Sequence, residues 1–241
     1  MAKTTMTLEA LTERLQRDLG ETLVAAVLYG SAARNERSDQ RANYNVLVIV
    51  RALTPAALRT LASTAEAWGE AGNPPPLILT EAEWGASGDI FAMEVADILE
   101  RHRVFAGALP STPSRVSTEH LRHQLEFEAM GKLLALRQGI LASGAKPERE
   151  LELLAASKSA ILVLFRTLLR IHGESGTDGP EDVVRRTAAR AGFDPSPFLQ
   201  VVGHVAGTAK IPVDRADAIL TAYHAGLETF VAHVDRLDAR P

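Results

Sequence analysis

LYGSAARNERSDQRANYNVLVIV, residues 28–50, is the stretch whose reading decides the fold. An apolar run, Leu23–Tyr29, stops at Gly30-Ser31, and a second run, Val46–Val50, is reached through Asn43-Tyr44-Asn45. Both runs are short and rich in Val, Leu and Ile, which predicts strands buried on both faces, with Asn45 opening the second. Glycine ahead of serine predicts a tight turn after the first strand. Positions i and i+2 of a strand share a face, so Asn43 and Asn45 are expected to point the same way.

The pattern continues on either side of this core. Leu8, Leu11, Leu15 and Leu19 repeat at helical spacing, with Gly20 as the stop, which predicts a helix over residues 7–19. Thr54-Pro55 places a capping residue before proline and opens a helix to about Trp68. Asn73-Pro-Pro-Pro76 breaks the chain ahead of a third strand, Leu77–Leu79, and Thr80 to Glu83 forms a capping box. Phe91–Ile98 suits a strand or a helix by periodicity alone, and Val104–Gly107 reads as a short final strand. Residues 108–117, with two prolines and four Ser/Thr, form the expected linker.

Beyond the linker the character changes. Amphipathic patterns run from Ser117 to Ile140 and from Pro147 to Ile171, then from Pro180 to Gly192, with shorter ones at Pro197–Gly207 and Asp214–Leu237. The expected organisation is therefore an α/β (α+β) domain with a small mixed sheet over residues 1–110, followed by an all-helical bundle over 111–241.

Composition narrows the function. The 241 residues are 46% hydrophobic and 23% charged, which is the balance of a globular protein. A net charge of −4 gives no general attraction to nucleic acid or anionic membranes. Cysteine is absent, which rules out disulfides, thiolate zinc sites and cysteine nucleophiles. No apolar run has the length of a bilayer span and the N-terminus is unlike a signal peptide, so a cytoplasmic location is expected.

Strand, Gly-Ser turn, eleven residues, Asn-x-Asn and strand together resemble the nucleotidyltransferase superfamily. That superfamily includes DNA polymerase β and the aminoglycoside nucleotidyltransferases, among them two-domain bacterial proteins. The resemblance covers residues 7–107 by motif and the rest by architecture. It implies a nucleotidyltransferase-like sheet domain whose Gly-Ser turn lies beside a nucleotide triphosphate, with Gly30 and Ser31 donating to phosphate oxygens and Arg34 in reach. It also implies an Asp-x-Asp on the second strand and a third carboxylate on a later strand, which would make the start of Phe91–Ile98 a strand and Asp97–His102 a turn or short helix. Here the Asp-x-Asp positions hold Asn43 and Asn45. Glu94 is the preferred third acid, with Asp97 second, and Asp39 is a substitute ligand in the intervening loop. The plainer reading of Asp39 is a solvated residue between Arg37 and Arg41.

Chemistry explains why the substitution matters. Mg2+ prefers hard anionic oxygens, and nucleotidyl transfer uses divalent metal to bridge phosphates. Asparagine keeps the spacing and loses both charges. The site is therefore expected to be a degenerate metal site, impaired or inactive, that keeps nucleotide binding (ATP or another NTP) and a regulatory role. Mg2+ is expected only if the protein is active. Two alternatives stand beside this. One is an active enzyme moving NMP from NTP to a small-molecule or protein acceptor through an altered site. The other is a non-enzymatic partner or antitoxin-like protein, with a homodimer or a protein partner. His120 and His123, at i and i+3, read as helix surface rather than metal ligands. Lys158 and Arg166, in an apolar helix, either reach a nucleotide or lie along its rim. Tyr29 and Tyr44 are expected to flank the cleft.

Overall fold

A computed structural model of the chain describes residues 6–33, 44–111, 116–176 and 178–237. The chain divides into two compact units, Met1–Val116 and Ser117–Pro241.

In the first unit, α1 (Leu8–Leu19) starts where the Thr7 side chain accepts from the Ala10 N–H, and ends at Gly20 with φ of +53°. Strands β1 (Leu23–Tyr29), β2 (Asn45–Val50), β3 (Leu77–Thr80) and β4 (Arg103–Gly107) form one mixed sheet in the order β3-β2-β1-β4. β1 pairs antiparallel with β2 and with β4, whereas β2 and β3 run parallel. Val46, Val48 and Val50 face Leu11, Leu15 and Trp68 on one side. Leu47 and Ile49 face Trp84, Val95 and Ile98 on the other. Covering both faces is what makes β1 and β2 read as unbroken apolar runs.

Three local features differ from the sequence expectation. The helix expected from Thr54 to Trp68 divides at Leu61 into α2 (Pro55–Thr60) and α3 (Ala62–Glu70), with the Leu61 side chain buried against the sheet. The Phe91–Ile98 segment begins no strand. It is α5 (Ala92–Glu100), which buries Ala92, Met93, Val95 and Ile98. Ala, Met and Glu are good helix formers, and burial at i, i+3 and i+6 is a helix stripe, so the short apolar run was a helix of period 3.6. Finally, the first part of the expected linker is held down. Ala108 N–H donates to the Val24 carbonyl at 3.2 Å, and the Trp84 indole donates to the Pro110 carbonyl at 3.0 Å. Between β3 and α5, α4 (Glu81–Ala86) carries the expected capping box of Thr80 and Glu83.

The second unit consists, among the described residues, of α6 (Thr118–Ser143), α7 (Pro147–Ile171), α8 (Pro180–Ala191), α9 (Ser196–Ala206) and α10 (Ala216–Asp235). Ser117 caps α6 by accepting from the His120 N–H, Pro147 and Pro180 open α7 and α8, and left-handed Gly144, Gly192 and Gly207 end α6, α8 and α9. Its core is aromatic. Phe165 meets Phe230 at 4.9 Å and Phe198 at 5.3 Å between ring centroids, and Phe198 stacks on Tyr223 at 4.3 Å. Gly226 makes room for this, since a Cβ there would lie 2.6 Å from the Phe198 ring.

Candidate functional site

The end of β1 and the start of β2 lie side by side because Tyr29 pairs with Asn45 in the antiparallel register. Past Tyr29 the chain turns sharply through a short 3-10 segment, Gly30–Ala32, closed by the Ala33 N–H donating to the Gly30 carbonyl at 3.1 Å. Gly30 is required twice over. Its φ is +74°, and a Cβ there would lie 2.9 Å from Asn45 Nδ2. Two residues picked from the sequence, Gly30 and Asn45, are therefore in direct contact.

By strand alternation Asn45 shares its face with Leu47 and Ile49, the face covered by Trp84 of α4 and Val95 and Ile98 of α5. Tyr29 belongs to that face as well. Burial raises the Tyr29 hydroxyl above its usual pKa, and the negative charges of Glu94 and then Asp97 push it further. Both later acids named from the sequence therefore lie within electrostatic reach of Tyr29. They are carried by a helix rather than a strand, with Glu94 in its first turn and Asp97 only 6% exposed.

Tyr44 goes elsewhere. Its ring packs 6.0 Å from Trp68 on the α1 and α3 side of the sheet, so Tyr29 and Tyr44 do not flank one cleft. Strand alternation sets Tyr44 on the face of Val46, Val48 and Val50, and Asn73, 9% exposed, accepts from the Tyr44 N–H through Oδ1 at 2.9 Å. That bond fixes the chain just before β2 and so helps position Asn45. In the sequence Asn73 reads only as part of a chain break. The only signal in its favour was an amide residue set before three prolines.

Arg34, Asp39 and Asn43 lie outside the described residues, and Ser31 is placed only as part of the 3-10 turn. Arg166 is no rim residue. It is 2% exposed and donates from Nε to the Gly176 carbonyl at 3.0 Å, tying the segment after α7. His123 lies on the α6 surface, 3.7 Å from Glu119.

Among the described residues no three His, Asp or Glu side chains form a cluster suited to a metal ion. β2 contributes the neutral amide of Asn45, and the acids near Tyr29 come from another element. Among the described residues this donor set differs from the paired carboxylates that a two-metal phosphoryl site uses.

No protein-family model matches the sequence, and no curated protein does. Among solved structures, the chain is similar to spectinomycin adenyltransferase AAD(9) from Enterococcus faecialis, determined with ATP and spectinomycin. The match covers 90% of this chain and 96% of that one, with a TM-score of 0.57 and 11% identity. The fold is nucleotidyltransferase-like. At that identity the likeness concerns the backbone, and it spans both the mixed sheet and the helices that follow it.

Proposed function

We propose that this chain is a nucleotide-binding, nucleotidyltransferase-like protein whose metal site has lost its charge, leaving catalysis impaired or absent and a regulatory role in its place. The contact between Gly30 and Asn45 carries this reading. A glycine without a side chain lets backbone approach a phosphate, and the residue beside it is an amide where the chemistry calls for a carboxylate. That the similar AAD(9) structure holds ATP supports a nucleotide as the ligand. In this reading Gly30 and Ser31 contact the phosphates and Arg34 adds a positive charge. Asn43 and Asn45 hold the degenerate acidic positions, with Glu94 as the retained acid and Asp39 and Asp97 as lesser candidates. Loss of two anionic ligands removes several kcal/mol of charge stabilisation, and each ~1.4 kcal/mol is a decade of rate.

Calorimetric titration with ATP, with and without Mg2+, tests the ligand half. Binding is expected in both conditions; no heat with ATP or any other triphosphate would remove it. Incubation with labelled triphosphates and candidate hydroxyl acceptors tests the catalytic half. Transfer at an ordinary enzymatic rate, abolished by Glu94→Gln, would instead establish an active enzyme with an altered site.

A further inference from the structure

In the helical unit, α6, α7 and α10 line a half-open cavity of about 210 Å3. Its inner wall is apolar: Leu136, Ile161 and Leu227 are each at most 3% exposed. Ala135 and Ala156 stand at its mouth, where larger side chains would close it. An apolar cavity of about 150 Å3 accepts benzene, so this one has room for a ring with a few further atoms.

Its polar groups are few and their protons are already committed. Ser157 Oγ lies 2.9 Å from the Leu154 carbonyl and 3.0 Å from the Tyr223 hydroxyl. Serine has one proton, and the carbonyl can only accept, so that proton goes to Leu154 and Tyr223 donates to Ser157. What remains is acceptor capacity on the buried Tyr223 oxygen. Lys132, at the rim, is engaged by Glu128 at 2.9 Å, so its charge is offset by a neighbour. The lining thus offers apolar contact and an acceptor, with no free positive charge for an anion.

We propose that this cavity is a binding site for a small neutral ring compound bearing one hydrogen-bond donor, of about the size of phenol or indole. The donor is held by the Tyr223 oxygen and the ring lies against Leu136, Ile161 and Leu227. This site lies wholly within the helical unit and is independent of the nucleotide reading.

Titration of the full chain with phenol, indole, toluene and benzoate, followed by NMR chemical shifts and by thermal unfolding, tests the assignment. Phenol and indole are expected to bind and raise the unfolding temperature, toluene to bind about fivefold to tenfold more weakly, and benzoate not to bind. Tyr223→Phe should erase the preference for phenol over toluene while toluene still binds. Ala156→Leu, at the mouth, should abolish binding of both, with circular dichroism showing the helices intact. Failure of all four probes on the folded wild-type chain would overturn the proposal. So would benzoate binding as tightly as phenol, unchanged selectivity in Tyr223→Phe, or unchanged binding in a folded Ala156→Leu.

Discussion

At the scale of single residues, Gly30 and Tyr29 are the most constrained positions of the candidate site. Gly30→Ala forces an L side chain into left-handed backbone and against Asn45 Nδ2. Urea denaturation should show a loss of about 1–2 kcal/mol, the usual cost of that conformation. An unchanged midpoint would mean the turn relaxes freely. Tyr29 reports on the acids around it. Its phenolate absorbance should appear above the usual tyrosine range, and Glu94→Gln with Asp97→Asn should move the titration back toward the ordinary value without reaching it, because burial remains the larger cause. An unmoved titration would separate those carboxylates from Tyr29. Gly30 and Asn45 were legible in the sequence because a turn glycine between two apolar runs and a strand alternation are local signals. Asn73 was not, since its partner Tyr44 is 29 residues away and only the folded chain brings them together.

Elements show the same division between local and distant causes. β1 and β2 were readable because both their faces are covered, so composition alone marks them. α5 was ambiguous because a short apolar run suits either period, and its packing of Val95 and Ile98 against the sheet decides for helix. The segment between α7 and α8 is held by ions rather than by pattern. Arg186 donates from Nε to Glu174 at 3.0 Å and also engages Asp178 and Asp182, while Arg190 reaches Glu174 from the next turn. The Arg186 hydrogen bond is the chief reason the Glu174 carboxyl lies below the usual carboxylate range. A depressed folded pKa stabilises fully above the unfolded value of about 4.3, and that contribution is lost as pH falls through the folded value. Stability measured by denaturant between pH 6 and pH 3 should therefore fall in the acid limb, and Arg186→Leu should flatten the part due to Glu174. Identical acid limbs in both proteins would contradict the pairing.

For the molecule as a whole, each unit has its own core, and the helical one is centred on Phe165. Phe165→Ala should cost about 3–5 kcal/mol in chemical denaturation. Phe127→Ala, on an α6 side chain 77% exposed, should stay within about 0.5 kcal/mol. Equal losses would place the core elsewhere. The division into a sheet unit and a helical unit was visible as a change of hydrophobic period near Ser117, whereas the aromatic cluster draws on α7, α9, α10 and Phe193 and has no sequence pattern of its own. The central claim is that the sheet unit keeps a nucleotide-binding turn and lacks only the charge that would hold metal. The double change Asn43→Asp and Asn45→Asp tests it most directly, by calorimetric titration of ATP into wild type and variant with and without Mg2+. Wild-type binding is expected to be insensitive to Mg2+, and the variant should gain a Mg2+-dependent increase in affinity. A wild type already as Mg2+-dependent as the variant would contradict the claim, and so would a folded variant in which Mg2+ changes nothing.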